Sequence, residues 1–349
     1  MATRVLIVED SPIMQRLLTA LISAQDDLKV VGVAQDPFEA RDRIKILRPD
    51  VITLDVEMPR MDGITFLEKL MRLRPMPVVM VSSLTESNAE ITLRALELGA
   101  IDFVTKPKGD GGQEMAEFSA ELCEKLRGAS RAEIRATHAT RTPPPVSTVA
   151  RLNPAGIIGI GASTGGTEAI KEILVRLPPN SPPVVIVQHM PEMFTRLFAK
   201  RLDDLCALKV TEAVHGEALK AGHAYVAPGN WHLNVVRVGR QLEARVDQGD
   251  PVNRHRPSAD VLFGSLAESA GPRAVGVILT GMGRDGAEGL GLMQRAGAFT
   301  IAQAGESCVV FGMPKAAIDA GYADCVAPIE NVASHILIAL QREVRRDEE

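Results

Sequence analysis

Five side chains able to do chemistry each stand directly after a short apolar run in the first third of the chain. Glu9 and Asp10 follow Val5–Val8, Asp55 follows Val51–Leu54, Ser82 follows Val78–Val81, and Lys106 follows Phe103–Thr105. If these runs are parallel strands, the five side chains gather on one sheet edge, the edge where α/β proteins bind ligands. Clustered carboxylates repel one another unless a divalent cation neutralises them, and an oxygen-only set of this kind suits Mg²⁺. A carboxylate beside such an ion can attack a phosphoryl group and hold it as an acyl phosphate. The ammonium of Lys106 and the hydroxyl of Ser82 can then take the phosphoryl oxygens. Taken singly, Asp55 before Met58-Pro59 reads as a turn or cap residue and Lys106 as a solvated surface charge. Their recurrence at successive elements is what argues for a site.

A second group begins at Ile157-Ile-Gly-Ile-Gly-Ala-Ser-Thr-Gly-Gly166, an apolar run that leads into a helical pattern. One reading is a dinucleotide fingerprint. Gly159 and Gly161 fit it, but Thr164 occupies the third glycine position, and the next apolar run ends in Gln188-His189 instead of the acidic residue that would hold a ribose. The other reading is Gly161-Ala162-Ser163-Thr164-Gly165, a G-x-S-x-G turn that projects a serine between strand and helix. The amides that open the helix behind it favour a developing negative charge. A nucleophilic serine needs a base, and the base needs an orienting acid. His189 ends the next apolar run, and Asp285 lies in a glycine-rich loop after another, Ile278-Leu-Thr-Gly-Met-Gly-Arg-Asp-Gly286. All three fall on one carboxyl edge. The chain order Ser, His, Asp differs from that of the α/β-hydrolase superfamily. His215, His223, His255 and His335 lack zinc-ligand spacing and read as structural or solvent-facing. His232 is a candidate to line the cleft, and Asp260 reads as a helix-supporting residue.

The elements that must position these groups are short β-branched runs alternating with amphipathic stretches. In the first part, Val5–Val8, Val30–Val33, Val51–Leu54, Val78–Val81 and Phe103–Thr105 alternate with helical patterns such as Ile13–Ala24, Gly63–Leu73 and Ala89–Leu98, and a last helix covers about Glu114–Leu126. Apolar runs without alternation belong to parallel strands covered on both faces, so residues 1–126 read as a compact doubly wound α/β domain. The Ala-, Arg-, Thr- and Pro-rich stretch 127–153, with Pro143-Pro144-Pro145 inside it, has no hydrophobic period and reads as a semi-extended linker. From 154 to 349 a second α/β pattern follows. Its expected strands are 157–161, 184–188, 209–214, 224–226, 275–279, 299–303 and 324–326, and its expected helices are 166–177, 194–205, 258–269, 285–296, 314–320 and 331–344. Leu233–Val246 alternates like an antiparallel hairpin.

Composition narrows the function classes. A chain of 349 residues suits two domains. A net charge of −5 gives no electrostatic reason for nucleic-acid binding. No apolar stretch reaches the roughly 18 residues of a membrane span. The start of the chain meets Glu9 and Asp10 too early to read as a signal peptide. Cys123, Cys206, Cys308 and Cys325 are scattered, as free thiols in a reducing cytoplasm would be. A cytoplasmic protein is therefore expected.

Residues 3–125 closely resemble the flavodoxin-like (βα)5 receiver domain of response regulators. The match is carried by Val8-Glu-Asp10, Leu54-Asp-Val-Glu-Met-Pro-Arg-Met-Asp-Gly63, Val81-Ser-Ser83 and Phe103-Val-Thr-Lys-Pro107. The resemblance implies that Asp55 takes phosphate from a chemotaxis histidine kinase and that Mg²⁺ is organised by Glu9, Asp10, Asp55 and the Glu57 carbonyl. It also implies that Ser82 and Lys106 read the phosphate and that Phe103 is an aromatic switch. Ser82 stands where many receivers have threonine, which keeps the hydroxyl. Residues 155–345 resemble the catalytic domain of the CheB-type chemotaxis methylesterases through Gly161–Gly166, Gln188-His-Met-Pro191, Ala227-Pro-Gly-Asn-Trp-His232, Pro257–Phe263, Leu279–Ala287 and Phe311–Ala317. This resemblance implies hydrolysis of glutamate methyl esters on methyl-accepting receptors, and deamidation of receptor glutamines, by Ser163, His189 and Asp285. The Met282 amide would hold the oxyanion with Thr164 nearby, and the ester reaction would need no metal. It further implies that the unphosphorylated receiver packs against the cleft and that phosphorylation frees it.

Overall fold

In the computed structural model the described residues are 2–58, 60–83, 85–107, 109, 111–132 and 152–347. The chain divides into two compact units, Met1–Thr140 and Arg141–Glu349.

In the first unit the β-branched runs become β1 (Thr3–Val8), β2 (Leu28–Ala34), β3 (Val51–Asp55), β4 (Val78–Ser82) and β5 (Asp102–Thr105). They form one parallel sheet in the order β2-β1-β3-β4-β5. β3 and β4 are buried along their whole length, as expected for strands covered on both faces. The helices are α1 (Pro12–Ser23), α2 (Pro37–Leu47), α3 (Gly63–Leu73), α4 (Glu86–Glu97) and α5 (Gly112–Ser130). Their starts are written in the sequence. Ser11, Asp36, Asp62 and Thr85 each accept a hydrogen bond from a first-turn amide, and Pro12 and Pro37 open their helices. α5 extends past its expected end at Leu126, because Ala129 is fully buried and Arg127 pairs with Asp27 at 2.7 Å. Residues 127–130 of the stretch read as a linker are thus helical, and 133–151 lie outside the described residues.

The second unit contains β6 (Ile157–Ala162), β7 (Val184–Gln188), β8 (Lys209–Glu212), β9 (His223–Val226), β12 (Ala274–Ile278), β13 (Phe299–Gln303) and β14 (Cys325–Ala327) in one sheet, ordered β14-β13-β12-β6-β7-β9-β8, with every pairing parallel. The expected hairpin is present as β10 (His232–Val238) paired antiparallel with β11 (Gln241–Asp247). The helices are α6 (Gly166–Leu174), α7 (Glu192–Leu205), α8 (Ala259–Ser269), α9 (Ala287–Arg295), α10 (Met313–Asp319) and α11 (Ile329–Asp347). α8 sits between sheet and hairpin. Its Phe263 and Leu266 are fully buried with Leu233 and Val235 of the hairpin in one apolar cluster. Removing a side chain of that size from water contributes roughly 1.5–3 kcal/mol. Ser265 fixes the docking by accepting from the Val235 amide at 2.9 Å. α9 starts at Ala287, not at Asp285 as its pattern suggested. Gly286, at φ 86, turns the chain left-handed and leaves Asp285 in the loop.

Both sheets follow one rule. Strand order reverses direction beside β1 in the first and beside β6 in the second, and the crevice at such a point, at the carboxyl ends, is where doubly wound folds place ligands.

Candidate active site and acidic pocket

In the first unit the crevice lies between β1 and β3. Glu9, Asp10 and Asp55 present carboxylate oxygens within 4.8 Å of one another. Lys106, just beyond β5, bridges two of them, its Nζ 3.0 Å from Glu9 Oε2 and 3.0 Å from Asp55 Oδ2. Glu9 and Asp55 are buried, and burial pushes both carboxyl groups upward. For Glu9 the neighbouring Asp55 charge adds to the effect and Lys106 opposes it, with the result at about 7. One ammonium therefore does not neutralise the cluster, and the residues fit a divalent cation on an oxygen-only donor set. Ser82 is fully buried and accepts from Thr92 Oγ1 of α4 at 3.0 Å. Phe103 is buried under Lys125, whose Nζ donates to the Phe103 carbonyl at 2.5 Å and stands 5.0 Å over the ring. Glu57 is exposed beyond β3, its amide 3.4 Å from Asp55 Oδ1.

In the second unit the crevice lies between β6 and β12. Ser163 follows β6, His189 follows β7, and Asp285 lies in the loop between β12 and α9. The Ser163 amide donates to the Thr280 carbonyl at 3.0 Å, which ties the serine turn to that loop. At Gly281 a Cβ would lie 2.8 Å from the Ser163 Cβ, so only glycine lets the loop approach so closely. Gly165, at φ 76, closes the turn ahead of α6, and a Cβ there would strike Val309 at 2.6 Å.

His189 Nε2 lies 2.8 Å from Asp285 Oδ2. The other ring nitrogen, Nδ1, is buried and has no partner. Asp285 is 1% exposed and its carboxylate is saturated with donors. Ser258 Oγ donates to Oδ1 at 2.6 Å, Asn253 Nδ2 to Oδ1 at 2.9 Å, and the Ala259 amide to Oδ2 at 2.7 Å. Burial disfavours the charge, but the His189, Ser258 and Asn253 contacts outweigh it and hold the carboxyl well below its ordinary value. This arrangement keeps an anion beside the imidazole and favours the tautomer with Nε2–H toward Asp285, in which Nδ1 carries no proton. The Met282 amide makes no hydrogen bond among the described residues, whereas the Thr164 side chain is buried.

Other expectations resolve in the same frame. His232 does not line the cleft. It is 2% exposed and braces the floor, with Nε2 on the Asp250 carbonyl at 3.0 Å and Nδ1 accepting from the Ser258 amide at 3.3 Å. Asp260 supports a helix, accepting from the Gly289 amide of α9 at 2.7 Å. His255 read as structural or solvent-facing, yet its ring stacks on His189, with centroids 3.8 Å apart. Asn253, Ser258 and Gln188 also touch the site and were not singled out. The four cysteines are free thiols.

Residues 158–336 match the CheB methylesterase family, and residues 5–113 match the response regulator receiver domain. The chain is 57% identical over 342 residues to the protein-glutamate methylesterase/protein-glutamine glutaminase 1 of Geobacter metallireducens, covering 93% of each chain. It is 54% identical over 334 residues to the protein-glutamate methylesterase/protein-glutamine glutaminase of Salmonella typhimurium, covering 96% of each. The crystal structure of the Thermotoga maritima CheB methylesterase catalytic domain superposes with a TM-score of 0.51 at 42% identity, over 52% of this chain and 97% of that one. A receiver sheet with an acidic pocket, followed by a larger parallel α/β unit, defines a response regulator whose output half is an enzyme. The chain belongs to the CheB methylesterase family and is a protein-glutamate methylesterase/protein-glutamine glutaminase with an N-terminal receiver domain. No helix among the described residues is long and apolar enough to cross a membrane.

Proposed function

We propose that Ser163, His189 and Asp285 form the catalytic triad of the esterase and that Asp55 is the phosphorylation site controlling it. The observation that carries the first half is the hydrogen bond between His189 Nε2 and Asp285 Oδ2, with Nδ1 left buried and unpartnered. Ser163 Oγ attacks the ester carbonyl of a receptor glutamate while its proton passes to His189 Nδ1. The Met282 amide receives the developing oxyanion, with Thr164 beside it. The carbonyl–methoxy bond breaks, and methanol leaves with the proton from Nδ1. Water then attacks the acyl-serine, again through Nδ1, to release the glutamate carboxylate and restore the serine. With a glutamine substrate the leaving group is ammonia and the route is the same. Asp285 keeps the imidazole in its productive tautomer and stabilises the imidazolium without itself taking the proton.

In the receiver, of about residues 1–126, an Asp55 carboxylate oxygen attacks the phosphorus of a kinase phosphohistidine, and the histidine leaves. Glu9, Asp10, Asp55 and the Glu57 carbonyl would hold Mg²⁺, which supplies charge neutralisation for carboxylates and phosphoryl oxygens. Lys106 and Ser82 engage the acyl phosphate, and Phe103 relays its presence. Phosphorylation of the receiver raises the esterase rate of the catalytic part, 154–349. The substrates are chemoreceptors, the phosphodonor is their histidine kinase, and both meet this protein in the cytoplasm.

The test is methanol release from methylated receptor membranes, with Mg²⁺ and a small phosphodonor present. The native chain releases methanol and Ser163→Ala does not. Equal release from both would exclude Ser163 as the nucleophile.

A further inference from the structure

Both acid and base of the site are touched by one tight turn. Val252 and His255 exchange their backbone hydrogen bonds, at 3.1 and 2.9 Å, and the two residues between them, Asn253 and Arg254, are left-handed at φ 51 and 69. Asparagine enters that region readily, but arginine does so at a cost of about 1 kcal/mol. Non-glycine residues persist there only where their surroundings over-determine the conformation, and such sites cluster around function. Here the surroundings belong to the triad. Asn253 Nδ2 donates to Asp285 Oδ1 at 2.9 Å and to Asp260 Oδ2 at 2.6 Å. Asp260 is in turn anchored by the Gly289 amide. Two residues further on, the His255 ring lies over the His189 ring, 3.8 Å between centroids and 14° between planes.

The two contacts restrain different freedoms. The bond to Asp285 fixes one edge of the His189 ring but leaves the plane free to tilt about that edge. A flat ring stacked at van der Waals distance removes the tilt. Asn253 does the same for the acid, spanning Asp285 and Asp260 so that the Asp285 carboxylate cannot rotate away from Nε2. We propose that the Val252–His255 turn is the positioning element of the esterase site, in which His255 sets the plane of His189 and Asn253 sets the carboxylate of Asp285. The proposal rests on the triad reading above. His255 transfers no proton in it; it acts on His189 through the ring face stacked there, and phenylalanine keeps that face.

The experiment measures kcat and KM for methanol release by the full chain from methylated receptor membranes, with Mg²⁺ and a phosphodonor. It compares the native protein with Ser163→Ala, His255→Ala, His255→Phe and Asn253→Ala. The folded fraction of each is taken from circular dichroism. His255→Ala lowers kcat about tenfold with KM within about twofold, because a misplaced base slows chemistry more than binding. His255→Phe recovers most of that loss. Asn253→Ala loses about threefold, since Ser258 still holds Asp285 Oδ1. Native kcat in His255→Ala, a His255→Phe variant as slow as His255→Ala, or a loss that vanishes on normalising to folded protein would each overturn the proposal. Activity in Ser163→Ala would overturn the triad reading. An inactive Ser163→Ala beside a fully active His255→Ala would overturn this inference alone.

Discussion

The Gln188 side-chain amide nitrogen donates to the Ser163 carbonyl at 2.9 Å, so the last residue of β7 holds the turn that follows β6. The same nitrogen lies 3.3 Å from the His189 carbonyl. One buried side chain thereby ties the turn of the proposed nucleophile to the backbone of its base.

Replacing it separates placement from stability. Gln188 Oε1 is buried without a partner, so Gln188→Leu removes an unsatisfied acceptor together with a satisfied donor. The Ser163 carbonyl keeps the Gly166 amide at 2.7 Å. The expected stability change is therefore within about 1 kcal/mol. The expected kcat falls about tenfold through looser placement of Ser163 against His189. Steady-state methanol release and thermal unfolding measured on the same sample check this, and native kcat would show that the turn keeps its shape unaided.

Asp285 makes a prediction in pH. Its hydrogen bonds hold the folded carboxyl below the unfolded value despite burial. The unfolded chain therefore takes up this proton at higher pH than the folded one. The stabilisation is complete above about pH 4, the unfolded value, and is lost as pH falls from there through the folded pKa. Asp285→Asn, which cannot titrate, should flatten the acid limb of stability below about pH 4. At neutral pH it should lower kcat by about 10³-fold or more, since an amide no longer enforces the imidazole tautomer. Unfolding of native and variant chains between pH 3 and pH 7 decides the first point, and an unchanged acid limb would refute it.

What was legible in the sequence followed from periodicity and strand ends. Parallel strands buried on both faces read as unbroken β-branched runs, and the residue after each run falls on the ligand edge. Glu9, Asp55, Lys106, Ser163 and His189 were visible on that ground. Asp285 was legible as a member of the site in a glycine-rich loop, though the following helix was expected to begin at Asp285 itself; Gly286 delays it to Ala287. Asn253, Ser258 and His255 carried no such mark. Asn253 and His255 lie in a loop with no period and Ser258 stands at the start of α8, and their meaning comes from contacts to Asp285 and His189 across long stretches of chain, 27 residues for Ser258 and 32 for Asn253. α2 was not picked out either: two of its three core-facing residues are Pro37 and Ala40, which give a weak apolar stripe.

The acidic pocket predicts how a cation and Lys106 share one task. Lys106 Nζ is 3.0 Å from each of two buried carboxylates, and Lys106→Met leaves those charges facing each other. Removing one partner of a buried ion pair costs roughly 3–5 kcal/mol. Protonation of one carboxylate recovers part of that loss. A divalent cation recovers more, because Glu9, Asp10 and Asp55 are the groups able to ligate it. Unfolding of the receiver in Lys106→Met should therefore begin several degrees lower than in the native chain without Mg²⁺, and the gap should narrow on adding millimolar Mg²⁺. Phosphoryl uptake at Asp55 from a small phosphodonor should stay slow even with Mg²⁺ present, since the metal restores the charge balance but not the ammonium that takes a phosphoryl oxygen. A gap that Mg²⁺ leaves unchanged would mean that the three carboxylates do not bind the ion together. Native uptake in the variant would remove Lys106 from the phosphoryl site.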